Sequence, residues 1–166
     1  MCSIFGIASK IKINTSLFEK SAKLMTHRGP DHYGSWESKD KNLILSSSRL
    51  ALNDLSSNGH QPMSDHTDKY KIVFNGEIYN FKSLKKELLK NNSKFINNSD
   101  TEVILEGYKL WGIDTLLKKI RGMYAFSLID QENNKLFLAR DAHGQKPLFY
   151  FFENNHLIFS SEIKSI

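Results

Sequence analysis

The 166 residues are 40% apolar and 11% aromatic, enough for one domain with a substantial core and too apolar for a disordered chain. No run of about 18 apolar residues occurs, and the first residues lack the basic segment and apolar core of a signal peptide, so a transmembrane or secreted protein is not expected. One cysteine permits no internal disulfide, which makes the cytoplasm the expected compartment. The formal charge of +5 raises nucleic acid as a partner, but the nineteen lysines are scattered and form no basic stripe interleaved with aromatics. Neither nucleic acid nor membrane is expected. Arginine occurs only at 28, 49, 121 and 140, and in so lysine-rich a chain this points to sites needing a planar fork or a buried charge.

The chain opens with Met1-Cys2-Ser3-Ile4-Phe5-Gly6-Ile7, whose alternation of apolar and small residues reads as a short strand. Once Met1 is removed, Cys2 carries a thiol and a free α-amine. The amine titrates at roughly 7.7–8.0 and the thiol near about 8.5, so nucleophile and general base lie on one residue. A lone cysteine is more often a packing residue. Ser16 to Glu19 has capping-box spacing, with Leu17, Phe18, Ser21, Leu24 and Met25 on one helical face. His27-Arg28-Gly29-Pro30-Asp31 stops that helix and places Arg28 in a loop near Cys2. Residues 42–52 read as a strand in which Arg49, among leucines, must face solvent, a partner or a ligand. Residues 53–68 are turn-rich. Tyr70–Phe74 is a strand running into Asn75-Gly76-Glu77, which the residues alone present as a tight hairpin turn.

Asn80 is placed to cap a helix over 81–90 with Phe81, Leu84 and Leu88 inward. Ser99-Asp100-Thr101-Glu102 is a capping box that starts a helix with Val103, Ile104, Tyr108 and Trp111 inward, and Asp100 suits the positive end of the helix dipole. Asp114 is placed to cap a further short helix to Ile120. Strands follow at 123–130, 135–140, 147–153 and 156–160, read as one antiparallel meander. Phe149-Tyr150-Phe151-Phe152 suggests burial on both faces. Ser161-Glu162-Ile163-Lys164 reads as the start of a helix.

Taken together, Cys2 to Gly6, His27 to Asp31, Arg49 to Leu52, Gln61-Pro62, Asn75 to Asn80, Ser99 to Glu102, Arg121 to Phe126 and Arg140 to Leu148 occur in an order that resembles the glutaminase domain of glutamine-hydrolysing asparagine synthetases. These are class II glutamine amidotransferases with an N-terminal cysteine nucleophile, and the resemblance covers residues 1–166. It implies an α+β fold, the four-layer αββα sandwich of the N-terminal-nucleophile hydrolase type, truncated at its C-terminal end. It also implies that Cys2 attacks the side-chain amide of L-glutamine, that Asn75 and Gly76 supply the oxyanion donors, and that Arg49, Glu77 and Asp100 hold the zwitterionic end. Leu52 and Asn53 line the same pocket through their backbone. Asn53 departs from the β-branched apolar residue usual there. Arg28 orders the loop over Cys2, while Arg121 and Arg140 are structural.

No metal or other cofactor is implied in this domain. ATP and Mg2+ belong to a synthetase domain in cis, absent from these residues, which receives the ammonia and, for asparagine synthesis, acts on aspartate. The alternatives are an amidotransferase domain serving a different acceptor and a non-catalytic glutamine-binding or structural remnant. Nothing in the residues sets an oligomeric state.

Overall fold

Alternation along the strands sorts the apolar side chains into three layers. In β1 (Ser3–Ser9), Ile4 and Phe5 are both buried, and successive strand residues point to opposite faces. Ile4 packs with Leu45, Val73, Ala125 and Phe159, whereas Phe5 packs with Phe18, Ala22, Met25 and Ile44. A third cluster unites Ile72, Phe74, Phe126 and Leu128 with Leu88 and Ile104. Three apolar interfaces separate four layers: helix, sheet, sheet, helix. This computed structural model describes residues 1–50 and 59–166.

The first sheet has five strands in the order β2 (His32–Glu37), β3 (Leu43–Arg49), β1, β9 (His156–Ser160) and β8 (Phe149–Glu153). The second runs β4 (Met63–Ser64), β5 (Tyr70–Ile78), β6 (Gly122–Asp130) and β7 (Lys135–Arg140). Every neighbouring pair is antiparallel. Helix α1 (Thr15–Lys23) covers the outer face of the first sheet with Phe18 and Ala22. Full burial of a side chain such as Phe18 stabilises the chain by about 1.5–3 kcal/mol. Helices α2 (Phe81–Lys90) and α3 (Asp100–Lys119) cover the second sheet. At Gly112 the backbone of α3 turns to φ 73°, so α3 is two helical segments meeting at a kink.

Several expectations are corrected. Residues 123–160 are not one meander: β6 and β7 belong to the second sheet, β8 and β9 to the first. Short loops are compatible with either arrangement, and the core pairing of β9 with β1 decides it. Asn75-Gly76 is not a turn, because β5 continues through both residues to Ile78 and pairs with β6 along its whole length. Residues 32–37, not read as a strand, form β2. Phe149 to Phe152 are exposed rather than buried on both faces, since β8 is an edge strand that no described element covers.

The caps also differ. Asn14, not Ser16, caps α1 by accepting from Leu17 N at 3.1 Å, which shifts the inward face to Phe18 and Ala22 and leaves Leu17 exposed. The Asn80 side chain makes no cap bond. It instead donates to Lys119 O and accepts from Arg121 N, tying the start of α2 to the end of α3. Ser99 caps α3 through Glu102 N, yet Glu102 accepts from Ile96 N and Asn97 N rather than from Ser99. Arg121 and Arg140 act structurally, their guanidinium groups donating to the backbone carbonyls of Lys118, Ile120, Gly144 and Lys146.

Candidate active site

The start of β1, the end of β3, the last residues of β5 and the amino end of α3 meet at one cleft of about 520 Å³. Cys2 lies at its edge, one residue before β1, half-buried, with Sγ 3.7 Å from Leu50 O. Its carbonyl accepts from Arg28 Nε at 3.2 Å. Arg49, Asn75, Gly76, Glu77 and Asp100 line the same cleft. The two remaining predicted residues, Leu52 and Asn53, lie outside the described residues.

Arg49 is the last residue of β3 and is 8% exposed. Its backbone is fixed by Asp31, whose amide donates to Arg49 O, and by pairing with His32. A Cβ at Gly59 would collide with the Arg49 guanidinium, so glycine there leaves it room. A rigid, nearly buried guanidinium facing a cleft suits a carboxylate, which it can bind with two parallel hydrogen bonds.

Asn75 is 1% exposed, and its Nδ2 is buried with no hydrogen-bond partner among the described residues. Leaving a buried amide donor unmade costs about 1–3 kcal/mol. Pairing with Ala125 in β6 fixes the backbone that carries it. Gly76 is paired with Tyr124, and a Cβ there would run into Met123 O and come within 2.7 Å of Tyr124 Cα. The glycine therefore serves close strand approach, not a positive φ.

Asp100 opens α3, where its Oδ2 accepts from Ile78 N at 2.9 Å and bridges β5 to the helix. Burial pushes its pKa above the usual carboxylate value, and Glu77 adds to this. Backbone amides of Ile78, Asp100 and Thr101 oppose the shift without cancelling it. Two carboxylates in one cleft, one of them raised by burial, make a place for a cation.

Sequence reasoning missed Lys146, which is 8% exposed, lines the cleft and puts Nζ 3.7 Å from Met1 Sδ. Its loop is held by Asp141, whose carboxylate accepts from the amides of Tyr124, His143, Gln145 and Lys146. The segment Arg140 to Leu148 was the available signal, but nothing in it marks a lysine that lines the cleft. Among the described residues no helix is long and apolar enough to cross a membrane.

A glutamine amidotransferase domain model matches residues 1–166. The chain is 39% identical over 183 aligned positions to a protein of Methanocaldococcus jannaschii named putative asparagine synthetase (glutamine-hydrolyzing) 2, covering 100% of this chain and 35% of that protein. It is 36% identical over 171 positions to Bacillus subtilis asparagine synthetase (glutamine-hydrolyzing) 1, covering 100% of this chain and 26% of that protein. The chain thus spans about a quarter to a third of the length of these relatives. Glutamine phosphoribosylpyrophosphate amidotransferase from B. subtilis, solved with ADP and GMP, superposes with a TM-score of 0.84 at 20% identity, covering 99% of this chain and 42% of that one. That likeness gives the fold, a four-layer α+β sandwich. The chain belongs to the glutamine amidotransferase domain family.

Proposed function

We propose that this domain hydrolyses L-glutamine to glutamate and ammonia through a γ-glutamyl thioester on Cys2. The observation that carries this reading is the buried Asn75 Nδ2, without a partner among the described residues, in the same cleft as the Cys2 thiol. A donor held in place without a ground-state partner suits an oxygen whose charge appears only in the transition state.

Cys2, freed of Met1, uses its α-amine to take the thiol proton as Sγ attacks the amide carbon of glutamine. The carbonyl oxygen becomes an oxyanion and accepts from Asn75 Nδ2 and Gly76 N–H. The α-ammonium returns the proton to the amide nitrogen, the C–N bond breaks and ammonia leaves. Water, deprotonated by the same amine, then attacks the thioester carbon, and the C–S bond breaks to give glutamate and the thiol. Arg49 binds the α-carboxylate of glutamine, and Glu77 and Asp100 bind its α-ammonium. Leu52 and Asn53 are assigned to the pocket wall by resemblance.

The names of the relatives support asparagine as the final product. In this reading the ammonia passes to a synthetase domain in cis, where ATP and Mg2+ act on aspartate. A non-catalytic glutamine binder is the competing reading. Cys2→Ala separates the two: it should bind glutamine by calorimetric titration and release no ammonia, while the unmodified protein does both. Unchanged ammonia release from Cys2→Ala would remove the thioester from the account.

A further inference from the structure

We infer that Glu162 is a positioning residue for the Cys2 nucleophile, acting through Arg28, an inference that rests on the glutaminase reading of the cleft. Neither residue lines the cleft. Cys2 precedes β1, so the sheet ladder does not fix its carbonyl. Arg28 Nε donates to that carbonyl at 3.2 Å, while Nη1 of the same guanidinium donates to Glu162 Oε1 at 3.0 Å. The planar fork therefore translates the position of the carboxylate into the position of Cys2.

Arg28 needs that second anchor. It sits on a three-residue 3₁₀ turn, Thr26–Arg28, too short to fix a long side chain, yet its side chain is only 10% exposed. Glu162 is itself fixed. Its amide donates to Ser160 Oγ, and its neighbour Ser161 exchanges hydrogen bonds with Ile4 just inside β1. Its carboxylate is held by Arg28 and His27 on Oε1 and by Lys164 on Oε2, each within 3.1 Å. Burial raises the Glu162 pKa, but hydrogen bonds from Lys164, Arg28 and His27 outweigh it and bring it down to about 2. The anchor thus stays charged at any working pH. The segment after β9 reaches back across the sheet and holds the start of the chain where the cleft needs it.

A brace of purely structural kind would lower stability and leave each folded molecule fully active. The test uses the intact protein with Glu162→Gln, which keeps the side-chain shape and removes the charge. Glutaminase kinetics, Cys2 alkylation by iodoacetamide and thermal unfolding are measured on it and on Lys164→Met, which leaves the Arg28 contact in place. Glu162→Gln should lose about tenfold in kcat, with KM for glutamine within about twofold, and should slow alkylation in parallel. Lys164→Met should change neither rate. Combining Glu162→Gln with Arg28→Lys should cost no more than Arg28→Lys alone, because the two residues act as one unit.

A Glu162→Gln protein with unchanged kcat and alkylation rate would overturn the inference, whatever its melting temperature. Alkylation also separates the two readings. If the unmodified protein fails to hydrolyse glutamine yet Glu162→Gln still slows alkylation, the positioning stands and the glutaminase assignment falls.

Discussion

Asn75 and Asp100 hold opposite electrical liabilities in the same cleft: one an unmade donor, the other a carboxylate raised by burial. In the proposed reaction the substrate relieves each liability at a different stage. The oxyanion forms only during reaction, so Asn75→Ala should lower kcat and kcat/KM together by about 10²–10³ with KM nearly unchanged in steady-state assays. The ammonium of glutamine is present from the first encounter, so the proposed role of Asp100 is in binding. A carboxyl whose folded-state pKa is raised stabilises the fold below its ordinary value and loses that contribution as pH rises through the folded-state pKa. Once ionised, Asp100 therefore weakens the unliganded fold. Asp100→Asn should melt at a higher temperature without glutamine and show a KM raised by about tenfold or more. In the unmodified protein, KM should start to rise on acidification at a pH above the usual aspartate range, and Asp100→Asn should lack that limb. An Asp100→Asn protein with ordinary KM would place the ammonium elsewhere.

At the scale of elements, β5 is the scaffold of the site, since Asn75, Gly76 and Glu77 are consecutive on it and Ile78 N reaches Asp100. Pairing with β6 from Tyr70 to Ile78 makes these residues rigid. Gly76→Ala would drive a methyl group against the Met123 carbonyl and the Tyr124 backbone. It should destabilise the fold by about 1–3 kcal/mol in denaturant unfolding and lower kcat with it. Retained stability and activity would show that β6 can give way.

This strand also explains what the sequence could carry. Asn-Gly is chemically a turn pair, and no local signal says that the glycine answers a neighbouring strand 47 residues later, where Met123 lies. The helices over 81–90 and from Asp100 were legible because their apolar period and flanking residues are local. The division of β6 to β9 between two sheets was not, because pairing with β1 lies far away along the chain. The candidate cleft residues were named from ordered motifs, whereas Lys146 beside Met1 and Glu162 beside Arg28 are placed by tertiary contacts alone.

Across the whole molecule, the two sheets bring the start of the chain against β5, and the segment after β9 closes over that start. In the proposed reaction the general base is the free α-amine of Cys2. Met1 stands in the way: it is 59% exposed, lines the cleft beside Lys146, and its peptide bond to Cys2 occupies the nitrogen proposed as base. The most direct measurement pairs intact mass with glutaminase activity on protein fractions that retain or lack Met1. The account predicts that activity follows the fraction lacking one methionine and that Met1-retaining protein is inactive. Full glutaminase activity in protein whose mass still includes Met1 would contradict it.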